Sequence, residues 1–112
     1  MAWYADNVSG LAVGQYGVAI EITLKDTVTK TAADVSTYTG TKEIKARSPN
    51  DVVFTFTGTF TSDGSDGKIY FTPSSGNTFD VDGEWEAQAQ LQKTSTMAIS
   101  AIFKLYVDEQ IT

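Results

Sequence analysis

The chain has 112 residues, 41% of them hydrophobic and 20% charged, with fourteen acidic side chains against eight basic ones and a net charge of −6. That is enough chain for one ordinary domain (residues 1–112) with a real hydrophobic core, and too little for two. The charge disfavours the phosphate backbone of nucleic acid, the absence of cysteine excludes disulfides, thiol nucleophiles and zinc ribbons, and the absence of histidine removes the usual general base and commonest transition-metal ligand.

Read in chain order, the sequence has a period of two. Ala2-Trp3-Tyr4 suits a short edge strand, and its start, with neither a basic cluster nor an apolar run, is not that of a signal peptide. From Val18 to Lys25, Val18, Ile20, Ile22 and Leu24 alternate with Ala19, Glu21, Thr23 and Lys25, which predicts a strand with one buried face. Thr31–Val35 has room for one helical turn, and no window sustains a 3.6-residue period. A less regular strand is expected over Thr41–Arg47. Val52–Thr61 reads as one strand, with Val52, Phe54, Phe56 and Phe60 on one face and Thr55, Thr57, Thr59 and Thr61 on the other.

After the turn residues 62–67 come a strand over Lys68–Thr72, stopped by Pro73, and a long one over Glu84–Lys93 with Trp85, Ala87, Ala89 and Leu91 inward. The last strand is expected over Ala98–Val107, with Ile99, Ala101, Phe103, Leu105 and Val107 sharing a face. Sixteen threonines suit such pleated, half-exposed surfaces. No stretch approaches the about 18 apolar residues of a membrane helix, so no membrane partner is expected. These signals predict an all-β chain folded as an antiparallel β-sandwich of about seven strands.

Chemistry-bearing residues are few. Asp63, Asp66, Asp80 and Asp82 stand beside glycines in acidic loops and are weak calcium candidates; calcium wants about six to eight oxygens, and neither loop completes an EF-hand. Ordinary Asx-turn chemistry explains them better, so no metal and no cofactor is expected. Glu84 and Glu86 share a strand face but point in parallel, unlike the opposed carboxyls of a glycosidase. Trp85 belongs in the core, whereas Tyr70 and Tyr106 lie opposite their strands' apolar faces and are the more exposed rings. Exposed Tyr or Trp rings suit sugar stacking or a protein interface. Trp3, Tyr4, Tyr106 and Ile111, apolar or aromatic and near the termini, are the candidate contact residues, and a glycan is the alternative partner.

Gly67-Lys68-Ile69-Tyr70-Phe71-Thr72-Pro73, then Phe79–Gly83, then Glu84-Trp85-Glu86-Ala87-Gln88-Ala89-Gln90-Leu91, then Phe103-Lys104-Leu105-Tyr106-Val107 form an ordered series. The series resembles the N-terminal immunoglobulin-like domain of bacteriophage baseplate upper proteins. The resemblance implies an immunoglobulin-like sandwich, a structural role in a virion without catalytic residues, and other virion proteins and copies of itself as partners. Members of that family continue past this domain, whereas this sequence stops at Thr112. The expectation is therefore a small, non-enzymatic virion component of the head decoration, neck, tail or baseplate; a small carbohydrate-binding or adhesion module is the alternative.

Overall fold

The computed structural model describes residues 3–110 and is all-β, with no helix among the described residues. Ten strands follow in chain order: β1 (Trp3–Ala5), β2 (Val8–Ala12), β3 (Ile20–Asp26), β4 (Lys42–Arg47), β5 (Val53–Thr57), β6 (Thr59–Phe60), β7 (Lys68–Phe71), β8 (Gly83–Lys93), β9 (Thr96–Ile99) and β10 (Phe103–Asp108). They form two sheets, one ordered β1-β3-β7-β6 and the other β2-β10-β8-β4-β5, with β9 also on β8.

The alternating residues become the layer between the sheets. Ile20, Ile22 and Leu24 of β3 and Ile69 and Phe71 of β7 face Ile44 and Ala46 of β4, Trp85, Ala87, Ala89 and Leu91 of β8 and Phe103, Leu105 and Val107 of β10. Trp85 is the hub: Phe79 meets it edge-on at 5.3 Å, Phe54 stacks on it at 5.6 Å, and its indole N–H donates to the carbonyl of Val81. A buried tryptophan needs that last bond, because its one polar atom is cut off from water.

Ten strands among the described residues stand where the sequence predicts about seven, and the fold differs from the sequence expectations in several further places. The sandwich is not wholly antiparallel, because β2 runs parallel to β10. Only Asp6 and Asn7 separate β1 from β2, and across them the chain leaves the sheet of β3 and joins that of β10 instead of forming a hairpin. Val52–Thr61 is two strands, not one. The chain changes sheets at Gly58, whose N–H donates to Lys42 and whose added Cβ would come within 3.0 Å of Ile69, so Phe60 packs in the sheet opposite Phe54 and Phe56.

Ala98–Val107 is likewise broken. Gln90 faces Ile99 and Ala87 faces Phe103, so two residues of β8 are opposed by the three residues 100–102. The resulting bulge exchanges the faces: Phe103, Leu105 and Val107 point inward, whereas Ile99 is exposed. Val18 is also exposed, just ahead of β3. Thr31–Val35 makes no helical turn; Ala32 bridges Lys25 and Val35 is fully buried.

Candidate interaction surface

The outer face of the larger sheet carries a row of charges set by strand register. Arg47 of β4 and Lys104 of β10 both lie opposite Glu86 of β8, so the carboxylate sits between two cations on adjacent strands. The Arg47 guanidinium donates to one Glu86 oxygen, and Lys104 Nζ lies 3.3 Å from the other and 3.0 Å from Glu84. The hydrogen bond from Arg47, joined by that from Lys104, holds the Glu86 carboxyl below its ordinary pKa. Glu84 and Glu86 in turn raise Lys104, and Glu86 raises Arg47. Both carboxylates are thus ion-paired on an open sheet face, without the opposed placement that glycoside cleavage requires.

Apolar side chains flank that row. Val53 on β5 and Ile102 in the bulge, each more than half exposed, border a depression of about 210 Å³ that Lys45, Arg47, Glu86 and Gln88 also line. Ile102 is there only because the bulge turns it outward, so strict alternation could not have found it. Beside the depression, β5 is the last strand of the sheet, and its far side pairs with no described strand.

The expected contact residues lie on separate surfaces. Trp3 is 8% exposed: its ring meets Tyr38 edge-on at 5.0 Å and its carbonyl accepts the Ala101 N–H. It is therefore part of the core, not a free contact, because β1 pairs along β3 and turns Trp3 and Ala5 inward. Tyr4 is half-buried on the outer side of the smaller sheet with the Lys30 ammonium 5.4 Å from its ring centre. Tyr106 is on the outer face of the other sheet, where its hydroxyl accepts from the Asn7 amide. Ile111 lies outside the described residues. Of the other rings, Tyr70 is half-buried and Tyr16, in the β2–β3 connection, is exposed.

The acidic loops show turn chemistry. One Asp63 oxygen accepts both the N–H and the hydroxyl of Ser65, which lowers the Asp63 pKa, and Asp66 accepts the Lys68 N–H. Asp80 and Asp82 border a hollow with Glu109. Among the described residues, no group of three or more acidic side chains is placed to hold a metal ion. The expected threonine row is divided as well, with Thr55 and Thr57 in one sheet and Thr59 in the other. No family model matches this chain, and no curated protein matches it.

Proposed function

We propose that this chain is a non-enzymatic structural component of a tailed-bacteriophage virion, an immunoglobulin-like sandwich acting through contacts with other virion proteins and with copies of itself. The strand order supports the immunoglobulin-like part of the reading, and the phage resemblance of the sequence carries the virion part. The sheet β1-β3-β7-β6 corresponds to the four-stranded sheet of an immunoglobulin domain, and β10-β8-β4-β5 to its three-stranded sheet extended by one strand, as in variable-type domains. The residues of the phage resemblance fall mostly on β7, β8 and β10, with residues 79–82 in the loop before β8, and supply much of the core, including Ile69, Phe71, Trp85, Phe103 and Leu105.

What the surface offers to this role is sheet face and sheet edge: a charge row, a depression beside it bordered by Val53 and Ile102, and an uncovered strand. Repetition in a particle makes modest contacts of this kind sufficient, because each bound copy raises the effective concentration of the next contact. The test is mass spectrometry of density-purified particles from a host that carries the gene. The chain is expected in the particle in repeated copies, and particles without it overturn the reading.

A further inference from the structure

The free edges of the two sheets are not alike. β1 has three residues, β6 two and β9 four, and β2 is broken by a register shift against β10 with Gly10 at φ 81°. Short or bulged edges resist pairing with another chain. β5 has five residues in uninterrupted register with β4 and carries neither proline nor charge. Between Asp51 and Asp63 the whole run Val-Val-Phe-Thr-Phe-Thr-Gly-Thr-Phe-Thr-Ser is uncharged, in a chain one-fifth charged. β5 thus lacks the lysine, proline or bulge that ordinarily blunts an edge.

Its backbone groups have a definite orientation. At the two ends of the β4–β5 ladder, Ser48 donates to the carbonyl of Val52 and Gly58 to that of Lys42. Bonded pairs alternate along an antiparallel ladder, so Phe54 and Phe56 turn their N–H and C=O toward β4. Val53, Thr55 and Thr57 turn theirs outward, and among the described residues no backbone hydrogen bond from a loop reaches them. The strand borders an open cleft lined across from it by Thr72, Ser74 and Thr78.

We propose that the free edge of β5 pairs antiparallel with the same edge of a second copy of this chain, centred on Thr55. The proposal specifies the self-contact in the reading above and rests on it in that respect. The sequence is complementary to itself in this register. Thr55 meets its counterpart and Val53 meets the partner's Thr57, so every outward N–H faces an outward C=O. Phe54 meets the partner's Phe56 on the inner side, extending the apolar layer with rings that are half-buried in the single copy. A second copy is a better occupant than a charged peptide, because the edge offers no charge to select one. The adjacent outward row on β4 carries Lys45 and Arg47 against Glu43, so the net negative charge of the chain is not concentrated at this edge.

The chain has no cysteine, so a single introduced thiol reports the contact cleanly. Opposed residues of a hydrogen-bonded antiparallel pair have Cα atoms about 5.5 Å apart, within disulfide reach. Under mild oxidation, Thr55→Cys is expected to form a covalent dimer about ten-fold or more faster than Val28→Cys, whose thiol lies on an exposed turn after β3, since pairing holds the Thr55 thiols at high effective concentration. Light scattering coupled to size exclusion is expected to show a concentration-dependent dimer for the natural chain. That dimer should be lost in Thr55→Pro, which deletes an outward N–H, and in Val53→Lys, which keeps the backbone intact should the proline variant fail to fold.

Equal cross-linking of the two cysteine variants overturns the proposal. A dimer that persists in Val53→Lys overturns the β5 edge and leaves self-contact through another surface standing. A natural chain that is monomeric up to about 1 mM, where even millimolar association would be visible, overturns self-pairing; the particle measurement then decides the virion reading separately.

Discussion

The hydroxyl of Ser100 accepts the backbone N–H of Ala89 at 3.0 Å, in the bulge where β9 passes into β10. The extra residue takes the main chain out of regular register there, and the side chain supplies the acceptor that the ladder no longer does. The same hydroxyl donates to Ala101, whose own N–H is free to reach Trp3 in the other sheet. Ser100 is fully buried, so no water replaces the hydroxyl if it is removed. Ser100→Ala is therefore expected to cost about 1–3 kcal/mol, the penalty of an unsatisfied buried donor. Urea unfolding should show a lower midpoint with an unchanged m-value, and an unchanged midpoint would mean that Ala89 finds another acceptor.

Trp3 is expected to behave as a core residue despite its place near the start of the chain. Trp3→Ala leaves a void beside Tyr38 and loosens β1 from β3, a loss of about 3 kcal/mol for a buried aromatic. Thermal unfolding of the purified variant decides the matter. A variant as stable as the natural chain would return Trp3 to the surface, as the sequence alone suggests.

Gly67 has a more rigid requirement. Its φ is 72°, and a Cβ there would lie 2.4 Å from the Leu24 carbonyl oxygen and 2.9 Å from that of Ala33. Those atoms are backbone, and the Leu24 N–H donates to Gly67 itself, so neither side gives way without breaking the contact. Gly67→Ala is expected to destabilise by about 2 kcal/mol or more, combining the left-handed backbone cost with the clash. Gly17→Ala, at φ 76° with nothing near its Cβ, carries the backbone cost alone and should lose less in the same chemical denaturation series.

These positions mark where the sequence is legible and where it is not. β3, β7 and β8 follow uninterrupted alternation, so their inward residues can be read directly. β2 escapes that test because its register shift puts Val8 and Leu11, three apart, opposite Leu105 and Val107, two apart. Alternation across residues 98–107 gives the wrong face for Ile99 because a bulge has no signature in hydrophobicity. Phe79 and Val35 are fully buried from loops, where burial depends on distant strands. On the outer face, Glu84 and Glu86 are recognisable as neighbours, but Arg47 is thirty-nine residues from its Glu86 partner, and only register brings the two together.

That register makes a testable contribution to acid stability. Glu86 has its pKa lowered in the folded chain by Arg47 and Lys104, so its contribution is present above the unfolded carboxyl pKa, about 4.3, and is lost as the pH falls through the lower folded value. Arg47 and Lys104 have values raised by the same contacts, so on the alkaline side the pairs are lost only when these cations deprotonate in strong alkali. Glu86→Gln should therefore flatten the fall in stability between about pH 5 and pH 3. Some slope should remain, since Asp34 and Asp63 are also lowered by hydrogen bonds from Ser36 and Ser65. The row is open to solvent, so about 1 M salt, with a screening length near 3 Å, should shrink the difference between the two chains. Urea midpoints measured across this range at low and high salt test both parts: equal slopes at low salt would mean that the Glu86 ion pairs do not form in solution.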